Sequence, residues 1–269
     1  MKTLFVSDLD GTLLRGDETL SDFTVQAINN LVEHGLLFSY AMARSFHTAS
    51  KVTNGLIAKL PLVVYNGSLI VDSATGQVLH ANFFGEDVYA LLADLIRHDI
   101  YPIVYAFIDG VEKFSYVPGK ASQGMKHFNS SRSSDIREIR LSNSDGLFLG
   151  QKFAITSIDE PEKLVPMYEK YKAKYHCMLH RDIYTNEQWL EFIPLGVSKA
   201  SAVQKLKDML GCDRLVVFGD GINDRDMFRM ADEAYATANA VGDLKELATG
   251  IIGSNNDDSV AKWLQQNGK

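Results

Sequence analysis

The stretch FVSDLDGTLL, residues 5–14, runs an apolar β-type segment into two aspartates, Asp8 and Asp10, one residue apart. A strand built for burial does not ordinarily finish on neighbouring carboxylates, so their placement calls for a chemical reason. Outward from this stretch, strand and helix patterns alternate. Residues 2–7 read as the first strand. Ser21 caps a helix with Phe23, Ala27, Ile28, Leu31 and Val32 on one face, and Gly35 ends it. Residues 36–42 read as a second buried strand, 46–59 as a helix and 62–65 as a third strand. This alternation implies a parallel sheet covered on both faces. Asn66-Gly67 is a turn signal, followed by a short hairpin through Leu79.

The middle of the chain changes character. Residues 87–98 form an amphipathic helix pattern, and IYPIVYAFI and KFSYVPG pair around Asp109-Gly110, a hairpin signal. Residues 119–146 are polar and carry no clear pattern. FLGQKFAITSI reads as a strand, 161–175 as a helix, and 176–181 and 188–193 as strands. The α/β alternation returns at Ser198, with a helix over 199–210, a strand over 214–218 and a helix over 224–230. The expected fold is therefore an α/β core, residues 1–82 and 189–269, interrupted by an α+β module, residues 83–188.

The chain has 269 residues, 46% hydrophobic and 23% charged, with a formal net charge of −7. That balance lacks the basic face a nucleic-acid or acidic-membrane partner requires. No stretch approaches the ~18 consecutive apolar residues of a membrane span. The amino terminus runs directly into a strand, which argues against a signal peptide, and Cys177 and Cys212 have no metal-ligand spacing and read as reduced thiols. The expectation is a soluble, cytoplasmic protein.

In an open parallel sheet, ligands bind at the carboxyl ends of the strands. Asp8 and Asp10 follow the first strand, Arg44 and Ser45 the second, and Asn66 the third; GDGINDRDM, residues 219–227, brings Asp220 and Asp224 to the end of a later one, and Lys199 opens a helix just after the insertion. Four carboxylates at one partly buried sheet edge repel one another by several kcal/mol, and a divalent cation is the natural remedy. An all-oxygen donor set with no His or Cys pair points to Mg²⁺. A cation, a lysine and glycine-rich turns together suit a phosphate group. One carboxylate could then attack phosphorus, and Asp10 could protonate the leaving oxygen and later activate water.

DLDGTLL, GVSK and GDGINDRDM together resemble the haloacid dehalogenase (HAD) superfamily of phosphohydrolases, in its Cof-type branch, over essentially the entire chain. The resemblance implies a Rossmann-like core with a C2B-type cap that contributes substrate specificity. The insertion lies between Arg44 and Lys199, with no room for a cap between Asp10 and Met42. It further implies Asp8 as nucleophile through an aspartyl-phosphate, Asp10 as general acid/base and Lys199 as charge balance. Mg²⁺ would be held by Asp8, the Asp10 carbonyl, Asp220 and Asp224. Gly11, Thr12, Asn66 and Asn223 would line the phosphate end, together with Met42, Ala43 and Arg44 of the second motif. The implied activity is a Mg²⁺-dependent phosphatase acting on small phosphorylated metabolites, sugar phosphates or phosphorylated cofactors. A sugar phosphomutase-like phosphotransferase is the alternative enzyme.

The second motif departs from the family pattern. AMARS, residues 41–45, puts Met42 where Thr or Ser is usual and Ala43 where Gly is usual. A thioether has no proton to donate to a phosphoryl oxygen. The loss of one hydrogen bond to a charged group, ~1.5–3 kcal/mol, suggests weakened turnover and raises a phosphometabolite-binding protein as a non-enzymatic alternative. Ser39 falls on the opposite strand face, and Ser45 lies just beyond the strand. In the insertion, Lys126, His127, Arg132, Arg181 and Asp182 are the polar candidates for substrate contact, with a solvated role expected for most. Tyr101, Tyr105, Phe107 and Phe114 are expected in the cap core, and Trp189 and Glu191 in the returning strand.

Overall fold

A computed structural model describes residues 1–130, 135–182 and 185–268. The chain folds into two compact units, residues 1–81 with 197–269 and residues 82–196. The first half of the core unit contains β1 (Thr3–Ser7), α1 (Asp22–Glu33), β2 (Leu37–Tyr40), α2 (Phe46–Val52), β3 (Leu62–Val64), β4 (Leu69–Val71) and β5 (Val78–Ala81). The second unit contains α3 (Val88–Arg97), β6 (Ile103–Ile108), β7 (Val111–Tyr116), α4 (Gln123–Ser130), β8 (Glu138–Arg140), β9 (Gln151–Ile158), α5 (Pro161–Tyr171), β10 (His176–Arg181) and β11 (Gln188–Ile193). The chain completes the core with α6 (Lys199–Leu210), β12 (Arg214–Gly219), α7 (Arg225–Met230), β13 (Glu233–Ala236), α8 (Gly242–Leu247), β14 (Gly250–Ile251) and α9 (Ser259–Asn267).

The core sheet has the order β14-β13-β12-β1-β2, parallel throughout, so β1 sits in the interior with β12 and β2 on either side. Period-two alternation along β1 sends Leu4 and Val6 into a cluster with Val203 and Leu206 of α6, Met227 and Phe228 of α7, and Leu244 of α8. Phe5 faces the other way, onto Trp263 of α9, which also meets Phe218 and Tyr235. Burial on both faces explains the continuous apolar run before Asp8. Ser21 caps α1 by accepting from the Thr24 amide, as expected, but Phe23 is exposed because Thr24, Ala27, Ile28 and Val32 define the buried face. The helix expected over 46–59 stops at Val52, and Gly55 adopts a left-handed conformation.

The second unit is a six-stranded sheet of order β10-β11-β9-β6-β7-β8, antiparallel except for the β7–β8 pair. Asp109 and Gly110 both take positive φ at the β6–β7 hairpin, as the two-residue turn demands. One face buries Val104, Ile155, Leu190 and Phe192 under α3 and α5; the other gathers Ile103, Phe114, Tyr116 and Ile158 with Met125 of α4. The patternless stretch 119–146 thus contains α4 and the edge strand β8. The boundary expected at 189 falls instead at 197, because β11 is hydrogen-bonded between β9 and β10.

Candidate active site

β1 delivers Asp8 to the carboxyl edge of the core sheet, where its amide donates to the Phe218 carbonyl of β12 at 2.9 Å. β12 delivers Gly219 and Asp220 beside it, and a tight turn follows in which the Asp220 and Gly221 amides both donate to the Asp224 carboxylate at 3.1 Å. Lys199 is the first residue of α6, whose start is fixed by a capping box between Ser198 and Ser201. Its ammonium group lies 2.5 Å from Asp8 and 2.9 Å from Asp224, with only 1% of its side chain exposed. Gly67 makes this arrangement possible: its φ is +100°, and a Cβ there would fall 2.1 Å from the Ser198 carbonyl. The adjacent Tyr65 and Asn66 also take positive φ, strain of the kind stored at functional sites.

Carboxylate oxygens of Asp8, Asp220 and Asp224 lie within 4.8 Å of one another. One lysine serves two of these acids, so the cluster would carry an excess of negative charge if all three were ionised. Burial pushes the Asp8 carboxyl well above the usual range despite Lys199, and Asp224 and Asp220 add to the rise. Burial likewise lifts Asp220 to about 7, reinforced by Asp224 and opposed by the Thr12 hydroxyl, which donates to it at 3.0 Å. Burial works against the Lys199 charge, but Asp224 and Asp8 hold its ammonium above the ordinary lysine value. A compact, all-oxygen cluster of carboxyls whose ionisation burial and mutual repulsion resist is the donor set a hard divalent cation suits, so the residues fit Mg²⁺.

The Asp10 carboxylate is not one of the three. Arg44 grips it in a bidentate pair, Nε at 2.8 Å and Nη2 at 2.5 Å, and Nη2 also donates to Glu18 at 2.6 Å. Arg44 is therefore engaged by two carboxylates, which hold its guanidinium protonated against the cost of burial. Gly11, at φ +76°, lies directly against Asp220; a Cβ would meet an Asp220 oxygen at 2.3 Å. Asn223 donates to the Asn66 side chain at 3.3 Å, bringing those two expected phosphate-end residues together.

Met42 is fully buried, its amide donating to the Val63 carbonyl and its carbonyl accepting from Asn66. The nearby hydroxyls are committed elsewhere. Ser39 donates to the Pro61 carbonyl, and Ser45 caps α2 through the Thr48 amide. Three groups that sequence reading passed over also reach these loops: Glu18 through Arg44, and Thr237 and Asn239 through the Gly11 carbonyl. The last two follow β13 and were findable by the same strand-end rule that flagged Asp8.

Within the second unit, Tyr105, Phe107 and Phe114 pack around Phe153 or one another, and Tyr101 joins the α3–α5 core. Trp189 packs against Phe128. Lys126 lines a cavity of about 230 Å³ with Tyr116, Asn129 and Arg140. His127 faces Glu187, Arg181 donates to the Asn186 carbonyl, and Asp182 accepts from the Thr185 amide. Arg132 lies outside the described residues. No helix among the described residues is long and apolar enough to cross a membrane.

Comparison with known proteins agrees with this architecture. The chain is 25% identical over 279 residues to 5-amino-6-(5-phospho-D-ribitylamino)uracil phosphatase YitU of Bacillus subtilis (strain 168), covering 98% of this chain and 96% of that one. It is 26% identical over 279 residues to the HMP-PP phosphatase of Serratia proteamaculans (strain 568), covering 98% and 95%. In fold it is similar to a haloacid dehalogenase-like hydrolase from B. subtilis, with a TM-score of 0.79 at 20% identity over 99% of each chain. A Thermotoga maritima protein matches with the same TM-score at 23% identity, covering 99% of this chain and 97% of that one. The model of the haloacid dehalogenase-like hydrolases matches residues 5–264. The chain belongs to that family of hydrolases.

Proposed function

We propose that the protein is a Mg²⁺-dependent phosphatase that hydrolyses small phosphorylated metabolites, sugar phosphates or phosphorylated cofactor precursors, through a phosphoryl group carried on Asp8. The observation that carries this reading is the buried cluster of Asp8, Asp220 and Asp224 around the ammonium group of Lys199. The phosphorylated substrates named for the B. subtilis and S. proteamaculans relatives support the substrate class.

Asp8, Asp220 and Asp224 would hold Mg²⁺ with the Asp10 carbonyl; when bound, the cation supplies charge neutralisation for the phosphoryl oxygens and the acidic cluster. Lys199 opposes the burial penalty on the Asp8 carboxylate and orients it, so one of its oxygens can displace the leaving alcohol from phosphorus. Asp10 supplies the proton to the leaving oxygen and then takes one from the water that cleaves the acyl phosphate. Both Asp10 oxygens accept from Arg44 in this structure, so delivery of that proton requires Asp10 to exchange one Arg44 contact for the leaving group. Gly11 and Thr12 keep the loop close against Asp220. The test is phosphate release from a panel of phosphorylated metabolites with Mg²⁺ or with EDTA, for the wild type and for Asp8→Ala. Release that needs both Mg²⁺ and Asp8 is expected, and an active Asp8→Ala protein would remove the assigned nucleophile.

A further inference from the structure

The loop carrying Asp10 is tied into the rest of the edge by residues that take no part in the chemistry proposed above. The Gly11 carbonyl accepts from Asn239 Nδ2 at 2.7 Å, with the buried Thr237 hydroxyl at 3.4 Å. The Asn239 side-chain oxygen accepts in turn from the Asn255 amide at 3.0 Å, and Asn255 Nδ2 donates to the Leu14 carbonyl at 2.9 Å. The two asparagines thus hold the middle of the acidic loop and its exit together. The segment around Asn239 also holds the second acid-bearing loop, because the Thr237 amide donates to the Gly219 carbonyl at 3.2 Å and the Val241 amide to the Asp220 carbonyl at 3.0 Å.

We infer that Asn239 is a positioning residue, backed by Asn255, that fixes the Gly11–Thr12 peptide and registers the Asp8–Asp10 loop against the Asp220 loop. A trans peptide is planar and points its N–H opposite to its C=O, so a donor that captures the Gly11 carbonyl also sets the direction of the Thr12 N–H. The glycine makes such a donor necessary: its backbone is free to adopt several conformations at little cost, so the peptide that follows it is easily turned over. Two loops separated by more than two hundred residues in sequence must meet to within a fraction of an ångström for Asp8, Asp10 and Asp220 to act on one phosphoryl group, and loop misplacement on that scale lowers rates steeply.

The consequence for turnover rests on the phosphatase reading, whereas the loop register can be measured without it. Asn239→Asp is nearly isosteric and retains the acceptor for the Asn255 amide, but sets an oxygen against the Gly11 carbonyl. Asn239→Ala removes the donor without that repulsion. Asn239 is exposed, so neither substitution opens a core cavity. Amide exchange over residues 9–14 is expected to quicken about tenfold or more in Asn239→Asp, with a melting temperature lowered by no more than about 5 °C. With p-nitrophenyl phosphate and Mg²⁺, kcat is expected to fall about tenfold in Asn239→Ala and further in Asn239→Asp, while KM moves less than about threefold. Unchanged exchange over 9–14 in both variants, or a kcat within about twofold of wild type in Asn239→Asp, overturns the inference. A wild-type protein that releases no phosphate would instead refute the phosphatase reading, and the exchange result would still decide the relay.

Discussion

Asp220 is where the demands of stability and function pull apart most measurably. Its carboxyl is lifted from 3.8 to about 7, first by burial and then by Asp224. A rise of that size corresponds to ~4 kcal/mol. The sign follows from proton counting: between about pH 4 and about pH 7 the metal-free folded protein retains a proton that the unfolded chain has lost. Its stability therefore falls as pH rises through that window, and the penalty is complete above pH 7. An asparagine at this position would carry no charge and could still accept from the Thr12 hydroxyl. Asp220→Asn is accordingly expected to stabilise the metal-free protein by roughly 2–4 kcal/mol at pH 8, with the gain vanishing below pH 4. With Mg²⁺ most of that lead should disappear. A cation at about a hundred times its dissociation constant stabilises the wild type by ~2.7 kcal/mol, and the variant, lacking one ligand, should gain little. Urea unfolding at pH 4 to 8, in EDTA and in Mg²⁺, measures all of these quantities. A variant no more stable than wild type in EDTA at pH 8, or one with an undiminished Mg²⁺ gain, would refute the electrostatic description of the cluster.

Two further substitutions probe the same edge. Lys199→Met leaves Asp8 and Asp224 buried without their shared cation; it should cost about 3–5 kcal/mol at pH 8 by urea unfolding, less at acid pH, and lower kcat at least about a hundredfold. Met42→Thr restores a hydroxyl donor at the second motif and should raise kcat/KM about tenfold or more, at a cost of about 1–3 kcal/mol for shrinking a fully buried side chain. An unchanged or lower kcat/KM in a folded Met42→Thr protein would show that the hydroxyl is dispensable here.

Much of the site was legible because local pattern and chemistry coincide. The apolar run before Asp8 is a doubly buried central strand, and a lysine at the first position of a well-capped helix is visible in GVSK. What stayed hidden depends on contacts distant in sequence. Glu18 meets Arg44, and Asn239 meets Gly11, through side-chain hydrogen bonds that leave no periodic trace. The α4 segment escaped notice because it is short and polar, held by the burial of Met125 against the sheet rather than by its own propensity. The return to the core at 197 rather than 189 was equally hidden, since β11 has the same alternating pattern whichever sheet receives it. Met42 is the reverse case. Its identity was plain, but its complete burial and the commitment of Ser39 and Ser45 to other partners needed the structure.

Whether Asp8 carries the phosphoryl group is the question on which the proposed chemistry turns. Rapid acid quench of the enzyme during turnover of a phosphorylated substrate with Mg²⁺, followed by peptide mass spectrometry, tests it directly. A transient acyl phosphate is expected on the peptide containing Asp8, absent from Asp8→Asn. Phosphate release at the full rate with no label on Asp8 at any quench time would contradict that role.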